Sequence, residues 1–554
     1  MRDFKTPVLI VGGGTGGVAA ALACARSGTA CVIVEPTAWV GGQLTSQGVP
    51  PDEHRWIEGD GPGAPAGFTG STASYAEMRR RVREHCVRDE SMTAAARSAA
   101  QLNPGNGWVS RLCAPPRVFH AALEQMLAPH VASGLVRVVL HAEPVGADVD
   151  GNDVRSVMFA DVRTGERFTA QATLFLEATE LGDLLELAGV ESMIGAESQQ
   201  VFGELHGRPD LPAGTTHDQR DQQAFSWCFA IEHRPGEDHT IERPPAYDAW
   251  RSYVPEMSPP WTGPLFSWTV PSHDAQEGRE LAMTPWPDEP ASGAWELWRY
   301  RRIVDAAAHT DGRPDVCLVN WVQMDHWRSV LLGASRAERR EAFEAAREQS
   351  RCLLYWMQTE SPRHDGGAGY PGLRMRDHEL GRGSEAATGG EGFALAPYIR
   401  EPRRLDALRV LHEGDLGEQQ RAERGVAHAE CFADSIAIGH YAIDLHPTAA
   451  GRNNVYVPAL PFRVPLRALV PKRVRNVIGA GKAFGVSHVA NGCTRLHPVE
   501  WAIGEAAGLL ASRVLAEGID AHTVANDRAR AAAFRERCEA QGMPTRWPWE
   551  PEGT

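Results

Sequence analysis

A short apolar run followed by a glycine-rich turn, close to the start of the printed sequence, constrains the fold of this chain most. Residues 8–11 (VLIV) are typical of a buried parallel strand. Residues 12–17 (GGGTGG) contain the spacing GxGxxG, and the alanine-rich residues 18–26 predict a helix. A second predicted strand, residues 30–35, ends in a glutamate. The complete strand–turn–helix–strand unit predicts a Rossmann-like dinucleotide-binding domain.

The residues of this turn have distinct expected roles in cofactor binding. Gly12 allows a tight turn, Gly14 lets the backbone approach a pyrophosphate, and Gly17 lets the helix and strand pack closely. Thr15 and Gly16 stand at the predicted helix N-terminus, where free N–H groups and the helix dipole favour phosphate. We therefore expect all five residues to contribute to the dinucleotide site.

Of two features beyond the turn, the first argues against NADP and the second favours FAD. Glu35 is placed to hold ribose hydroxyls, and an acidic residue there argues against a 2′-phosphate. Residues 41–48 (GGQLTSQG) combine a glycine doublet with small hydroxyl side chains, which suits a phosphate chain and a ribitol; a plain surface loop is the alternative. The residues expected to touch the cofactor here are Gly42, Gln43, Thr45 and Ser46.

Composition excludes several other classes of protein. The chain has 554 residues and a formal net charge of −15, which disfavours nucleic-acid binding and anionic membranes. Its ten cysteines include no CxxC pair, so we expect no zinc ribbon, iron–sulfur cluster or disulfide framework. Glycines interrupt the longest apolar run, and no secretory signal pattern precedes it. These features predict a cytoplasmic protein without a membrane partner.

Five segments resemble the FAD-dependent oxidoreductases whose N-terminal domain is related to fumarate reductase and thiazole-biosynthesis flavoproteins. The segments are residues 12–17, 41–48, 115–127, 175–189 and 476–508. Four shorter ones resemble a bacterial branch of that family whose substrate is not fixed: residues 320–321, 355–358, 369–371 and 396–401. The resemblance spans most of the chain and implies FAD as the cofactor.

The resemblance also implies further cofactor contacts. Ala178 and Gly182 are expected near the adenine side, with Glu180 standing where the family usually has glycine. A helix starting near residue 499 is expected to point its N-terminus at the flavin pyrimidine ring, where its dipole stabilises negative charge. The residues expected at this end of the cofactor are Gly481, Leu496 and Pro498, with Lys482 either touching phosphate or flavin or lying in a solvated turn.

The predicted fold class is α/β: a Rossmann-like FAD-binding domain with a β-meander insertion, joined to an α+β substrate domain. Strands are predicted at residues 136–141, 145–149, 154–162, 167–172, 173–177 and 474–478. Ser335 and Glu338 form a capping-box pattern that predicts the start of a helix. The predicted domains are residues 1–58, 105–200 and 456–518 for FAD, 59–104 and 201–455 for substrate, and a helical tail at 519–554.

One dinucleotide fingerprint is visible, so a separate NAD(P)H domain is not expected. Reduced flavin would then be reoxidised by O₂, another diffusible acceptor or a carrier protein. The predicted function is an FAD-dependent oxidoreductase, oxidase or dehydrogenase, that removes hydride from a small polar metabolite at a C–OH or C–N carbon. The alternatives are a flavin monooxygenase with an external reductant and a non-catalytic FAD-binding protein.

Hydride transfer to flavin requires a group that removes a proton from the substrate heteroatom, and neutral histidine suits that role. Residues 439–446 (GHYAIDLH) supply His440, Tyr441 and His446, and an extended backbone would place both histidines on one face. His488 is a further candidate, and Arg400 could clamp an anionic substrate. The alternatives are histidines that only stabilise the fold, a metal site, and a solvated arginine run; no metal is predicted.

Overall fold

The structure is a computed structural model that describes residues 2–212, 214–272, 278–285, 294–363, 365–381 and 392–550. Its strands are β1 (Phe4–Val11), β2 (Cys31–Glu35), β3 (Val136–Leu140), β4 (Ala142–Asp150), β5 (Asp153–Asp161), β6 (Arg167–Glu177), β7 (Ser192–Met193), β8 (Ala196–Glu197), β9 (His217–Asp218), β10 (Phe229–His233), β11 (Thr269–Pro271), β12 (Gly278–Ala282), β13 (Trp295–Glu296), β14 (Arg302–Val304), β15 (Val316–Val319), β16 (Leu373–Met375), β17 (Arg404–Leu405), β18 (Ser435–Gly439), β19 (Ile443–Leu445), β20 (Val455–Val457), β21 (Phe462–Pro465) and β22 (Val477–Gly479).

The helices are α1 (Thr15–Arg26), α2 (Ala73–Cys86), α3 (Ala94–Ser98), α4 (Pro116–Ala132), α5 (Asp183–Leu187), α6 (Gln199–Phe202), α7 (Tyr247–Arg251), α8 (Leu297–Tyr300), α9 (Arg336–Thr359), α10 (Glu413–Leu416), α11 (Glu418–Glu423), α12 (His488–Thr494), α13 (His497–Glu517), α14 (Ala521–Asn526) and α15 (Arg528–Ala540). Short 3₁₀ turns lie at Gly42–Leu44, Ala306–Ala308, Val322–Met324 and Leu466–Leu469. The helices and the mainly parallel large sheet confirm the predicted α/β class.

The largest sheet among the described residues has seven strands, ordered β3-β2-β1-β6-β5-β4 with β22 paired to β6. Strands β3, β2, β1, β6 and β22 run parallel, whereas β5 and β4 are antiparallel. The predicted strand at residues 8–11 is fully buried because elements cover both faces of the sheet there. The sheet therefore unites the N-terminal Rossmann unit with a strand from near the C-terminus.

The meander differs from the sequence prediction in two places. The first predicted strand, β3, joins β2 in parallel at the sheet edge instead of entering the meander. The two predicted strands at 167–172 and 173–177 are one strand, β6, whose first half pairs with β5 and whose second half pairs with β22. The prediction of two strands is wrong because β6 has a sheet partner along its full length, so no turn divides it.

A second sheet, β14-β15-β10-β16, is antiparallel and lies in the part of the chain between the Rossmann strands. It shares a tryptophan-rich core with helix α9, which includes Trp227, Trp321 and Trp356. Helix α9 begins at the predicted capping box, with Ser335 and Glu338 each bonded to the other's backbone. Among the described residues, no helix is both long and apolar enough to cross a membrane.

Helices α1 and α13 pack closely because two glycines of α13 face the backbone of α1. A Cβ added to Gly504 would lie well inside contact distance of the Gly16 carbonyl oxygen, and one added to Gly508 would meet the Ala20 carbonyl oxygen in the same way. Cys24 Sγ also lies 3.5 Å from the Gly508 oxygen. The N-terminus of α13 is thereby held beside the glycine-rich turn.

We predict that Gly504→Ala destabilises the protein by about 1–3 kcal/mol, because the new Cβ would overlap backbone that no rotamer change can move. Helix propensity alone predicts the opposite sign, a gain of about 1 kcal/mol. The measurement is the free energy of unfolding in denaturant. The matched control is Gly146→Ala, whose Cβ would have its nearest neighbour at 4.0 Å. A stabilised Gly504→Ala variant would contradict the packing described here.

Candidate functional site

The glycine-rich turn is shaped by close backbone contacts. Gly12 has φ +97°, which favours glycine, and a Cβ there would overlap the Ala178 carbonyl at the end of β6. A Cβ on Gly17 would overlap the Gly12 oxygen, and one on Gly16 would overlap the Ala480 oxygen after β22. The turn is therefore wedged between the ends of β6 and β22, where bulkier residues do not fit.

The two glycine motifs face each other. A Cβ added to Gly42 would lie 2.9 Å from Gly14 Cα and 3.1 Å from Thr15 N. Thr15 Oγ1 donates a hydrogen bond of 2.9 Å to the Gly41 oxygen, and Gly41 N donates to the Gly13 oxygen at 2.7 Å. We call Gly14, Thr15 and Gly42 the glycine cradle; it stands at the N-terminus of α1, where the helix dipole favours an anion.

A carboxylate lies against this cradle. Glu180 Oε1 is 2.8 Å from the position of a Cβ on Gly14, and Glu180 also contacts the Cβ position on Gly42. Its other oxygen pairs with Lys482 Nζ at 2.6 Å, and Lys482 donates to the Ile399 oxygen at 2.6 Å. Burial alone would lower the pKa of Lys482, but Glu180 and Glu500 raise it. The Glu180 carboxylate therefore lies between the glycine cradle and a buried, charged lysine.

Glu180 does not itself need a glycine conformation. Asn106 and His141 are the described non-glycine residues with positive φ, and Glu180 is not among them. The left-handed residue of this segment is Gly182, at φ +75°, which precedes α5. The glycine expected at position 180 is dispensable because the backbone turns two residues later.

Glu500 joins the two ends of the chain, and the sequence analysis missed it. Gly16 N donates to Glu500 Oε1 at 3.4 Å, and Gln43 Nε2 donates to Oε2 at 2.5 Å and to the Arg495 oxygen at 3.1 Å. Burial, followed by the charge of Glu180, raises the pKa of Glu500 to about 7. Its place in the first turn of α13 was the available signal. Gln43 Oε1 keeps no hydrogen-bond partner within the described residues.

Glu35 closes the turn from the end of β2. Gly13 N donates to its Oε2 at 2.8 Å, and Thr37 donates to its Oε1 from the backbone N at 3.0 Å and from Oγ1 at 2.7 Å. Burial raises the pKa of Glu35 to about 7, although these hydrogen bonds act to lower it. The carboxylate is thus fixed at the edge of the cavity described next.

A cavity of about 830 Å³, the first cavity, opens in front of the turn. Gly12, Glu35, Ser46 and Gln47 line it, together with the N-terminal part of α9. Its volume lies toward the upper end of ligand pockets, about 300–1,000 Å³. Gln47 Nε2 is buried without a hydrogen-bond partner in the described chain. The cavity, the cradle and the unpartnered amides fit a dinucleotide with phosphates at the cradle.

The other predicted cofactor residues gather around the cradle, and several already make internal contacts. Thr45 Oγ1 donates to the Val40 oxygen at 2.7 Å, and Ser46 Oγ donates to the Gly42 oxygen at 3.3 Å. A Cβ on Gly481 would lie 3.5 Å from Ala178 Cα. Leu496 precedes α13, and Pro498 is its second residue. Gly481 therefore follows β22, whereas the others lie just after the 3₁₀ turn Gly42–Leu44 or at the start of α13.

A second cavity of about 300 Å³ lies across a shared partition, residues 395–400. Ala396, Pro397 and Ile399 of this segment line the first cavity, whereas Tyr398 and Arg400 line the second. From residue 397 to residue 400 the side chains alternate between the two cavities, as they do in an extended segment. The further polar residues that line the second cavity are Asp52, Arg279, Tyr300, Arg301, Asn320, Tyr441, Asp444, His446, Asn454, Tyr456 and Arg495.

His446 is held at this cavity by two aspartates. Its Nδ1 lies 2.5 Å from Asp325 Oδ2, and its Nε2 lies 3.6 Å from Asp444 Oδ2. Asp325 is fully buried and also accepts hydrogen bonds or ion pairs from Arg400 at 2.9 Å and Ser226 at 2.7 Å. Burial raises the pKa of Asp325, but Arg400 and His446 lower it to a net value below the ordinary one.

The other predicted histidines lie elsewhere. The ring of His440 packs edge-on against Trp56 at 5.0 Å, and burial lowers its pKa to about 4. It does not share a face with His446 because strand β18 ends at Gly439, so the run is not continuously extended. His488 is buried, with Nδ1 2.9 Å from Glu401 Oε1. Neither lines either of the two cavities.

A histidine at the start of α13 stands beside the second cavity. His497 Nδ1 accepts a hydrogen bond of 3.0 Å from Asp52 N, which fixes its ring. Its Nε2 is buried without a partner in the part of the chain that the structure describes. Burial, with the charges of Lys482 and Arg301, holds the pKa of His497 well below its ordinary value. The ring is therefore neutral at physiological pH.

The described residues contain no group of three or more His, Cys, Asp or Glu side chains arranged to hold a metal. All ten cysteines are free thiols, and most are buried. Cys493, in α12, is fully buried, and burial raises the pKa of its thiol above the ordinary range. The structure thus offers no thiol–disulfide pair at the site.

Comparison with known proteins agrees with this geometry. The profile of the family described as "FAD dependent oxidoreductase" matches residues 7–537. No curated protein sequence matches. Solved structures that match include a geranylgeranyl bacteriochlorophyll reductase-like protein from Thermoplasma acidophilum (9% identity, 98% of this chain and 89% of that chain, TM-score 0.32). Another is the E. coli quinol fumarate reductase FrdA (10% identity, 98% and 74%, TM-score 0.30).

The flavin-dependent monooxygenase PieE, solved with FAD and substrate, matches at 16% identity with a TM-score of 0.24, over 42% of this chain. That match spans 36% of PieE's own length, and the match to L-proline dehydrogenase from P. horikoshii spans 25% of that chain. The family match covers nearly the whole sequence and confirms the resemblance found from the motifs. The chain belongs to the family of FAD-dependent oxidoreductases, and its cofactor is FAD.

Proposed function

We propose that this protein removes hydride from a small polar metabolite bound in the second cavity, at a carbon that carries a hydroxyl or amino group. The observation that carries the proposal is the shared partition, which puts a small polar cavity directly beside the cofactor cavity. When bound, FAD supplies the two-electron acceptor for the hydride. The glycine cradle, Glu35 and Lys482 would hold its phosphate and ribose groups.

His446 is the group that we assign to remove the proton. Asp325 pairs with Nδ1, so the proton of the neutral ring sits there and Nε2 keeps its lone pair. The substrate loses a hydride from carbon and a proton from its heteroatom to Nε2, which leaves a C=O or C=N product. Asp325 and Asp444 both stabilise the imidazolium that forms.

Tyr441 complements the base in the same cavity. Burial, followed by the charge of Asp52, raises the pKa of its phenol well above the ordinary value. The hydroxyl therefore stays protonated and serves as a hydrogen-bond donor that orients the substrate heteroatom. The second cavity thus contains a neutral hydrogen-bond donor, Tyr441, and a proton acceptor, His446, which becomes charged during turnover.

The domain division predicted from the sequence forms part of this proposal. Strands β1–β6 and β22 share one sheet, which supports an FAD-binding domain of residues 1–58, 105–200 and 456–518. The second sheet supports a substrate domain that includes residues 201–455. We propose that O₂ or another electron acceptor, either diffusible or a carrier protein, would take the electrons from the flavin, since one dinucleotide fingerprint is present in the sequence.

We predict that His446→Gln slows substrate-driven flavin reduction by about 10²–10⁴-fold, the usual contribution of a positioned base. Alcohols and amines are screened anaerobically for bleaching of the flavin absorbance, and the variant is compared with wild type on the best substrate. His130→Gln, at the far end of α4, is the matched control. A large loss of the reduction rate in His440→Gln, without one in His446→Gln, would contradict the assignment of His446. Bleaching of the flavin that requires NADPH would instead favour a monooxygenase.

We predict that Glu180→Gln tightens FAD binding by about fivefold, because it removes a carboxylate that lies where the cradle accepts phosphate. The measurement is the FAD dissociation constant of the deflavinated protein, from quenching of FAD fluorescence on binding. The control is Glu536→Gln on the exposed face of α15. Weaker FAD binding by Glu180→Gln would show that this carboxylate supports the cofactor instead of competing with it.

A further inference from the structure

We propose that the second cavity binds its substrate through a carboxylate, with Arg301 as the anchor, so that the substrate is a small 2-hydroxy or 2-amino acid. This inference rests on the proposed function, because it names the substrate class of the same cavity. Nothing in the family match specifies this class.

The unpartnered polar atoms in the cavity lining are almost all donors. Within the described chain, Arg301 leaves Nε and Nη1 without hydrogen-bond partners. Arg400 and Arg495 each leave Nε unpartnered, and Asn320 leaves Nδ2. Trp321 Nε1 is also buried and unpartnered. A buried donor left unsatisfied costs about 1–3 kcal/mol, so these atoms call for an acceptor-rich ligand.

Arg301 differs from Arg400 and Arg495 in its charge partners. Arg400 pairs with Asp325 at 2.9 Å, and Arg495 pairs with Asp444 at 3.3 Å. Arg301 is buried and has no such ion pair among the described residues; its guanidinium stacks over the Tyr300 ring at 5.1 Å. Asp52 is the carboxyl group that acts on the charge of Arg301. With two unpartnered N–H donors, the planar guanidinium of Arg301 can bind a carboxylate through two parallel hydrogen bonds.

Acidic groups also face the cavity, and they limit the charge of the ligand. Asp52 and Asp444 line it together with the arginines Arg279, Arg301, Arg400 and Arg495. Burial raises the pKa of Asp52, although Arg301 acts to lower it. With Asp325 paired to Arg400 behind the lining, four arginines meet three aspartates. The balance favours a single carboxylate on the ligand.

The size of the cavity places the reacting carbon near the carboxylate. About 300 Å³ is at the lower end of ligand pockets. Arg301 and His446 both line this small space. A ligand of this size that places its carboxylate at Arg301 carries its heteroatom within a few bonds of the carboxylate. A 2-hydroxy or 2-amino acid is the simplest compound of this kind.

The test measures binding to the FAD-loaded protein without requiring turnover. Glycolate, lactate, glycine and alanine are titrated against their amides, and binding is followed by perturbation of the flavin spectrum. We expect at least one acid to bind about tenfold or more tightly than its amide. Equal binding of acids and amides would overturn the inference, as would equally tight binding of sulfate, which would indicate a general anion site.

Variants of Arg301 locate the anchor. Arg301→Gln is expected to remove the preference for acid over amide, and Arg301→Lys is expected to keep part of that preference. Arg528 is an exposed residue of α15, so the control variant Arg528→Gln is expected to keep the full preference. An acid preference that survives in folded, flavin-containing Arg301→Gln would overturn the assignment to Arg301. The wild-type comparison stands even where a variant fails to fold. Acid-selective binding without flavin bleaching would reject the proposed function and leave the carboxylate site intact.

Discussion

The site depends on the close contact between helices α1 and α13. Gly504 and Gly508 let the two backbones approach, and this fixes the N-terminus of α13 beside the glycine-rich turn that opens α1. Glu500 then reaches Gly16 N and Gln43, so residues from both ends of the chain form one surface. A fold that separated these helices by one side-chain layer would keep the Rossmann unit but lose the shared cofactor site.

Two cavities that share a partition bring two different sets of chemical groups next to each other. The first cavity is lined by Gly12 of the glycine-rich turn and by Glu35, and the glycine cradle lies at that turn. The second cavity gathers arginines, Tyr441 and a histidine paired with aspartate. Side chains that alternate along residues 397–400 line both cavities. In the proposed function, this one segment would therefore contact both the cofactor and the substrate.

Local patterns in the sequence predict the cofactor half better than the substrate half. The turn at residues 12–17 and Glu35 belong to one contiguous unit, so the sequence alone places them together. Glu500 and the Glu180–Lys482 pair depend on contacts between distant segments, which no periodicity reveals. The second cavity is likewise assembled from side chains far apart in sequence. His440 and His446 do not lie in one continuous strand, because β18 ends at Gly439 and β19 begins only at Ile443.

Hydrogen–deuterium exchange of the deflavinated protein, with and without FAD, tests most directly whether both ends of the chain build one cofactor site. The account predicts that FAD protects residues 12–17, 41–48, 178–182 and the start of α13 together, while the meander strands β4 and β5 are unchanged. Protection confined to the N-terminal Rossmann unit, with the start of α13 exchanging as before, would contradict it.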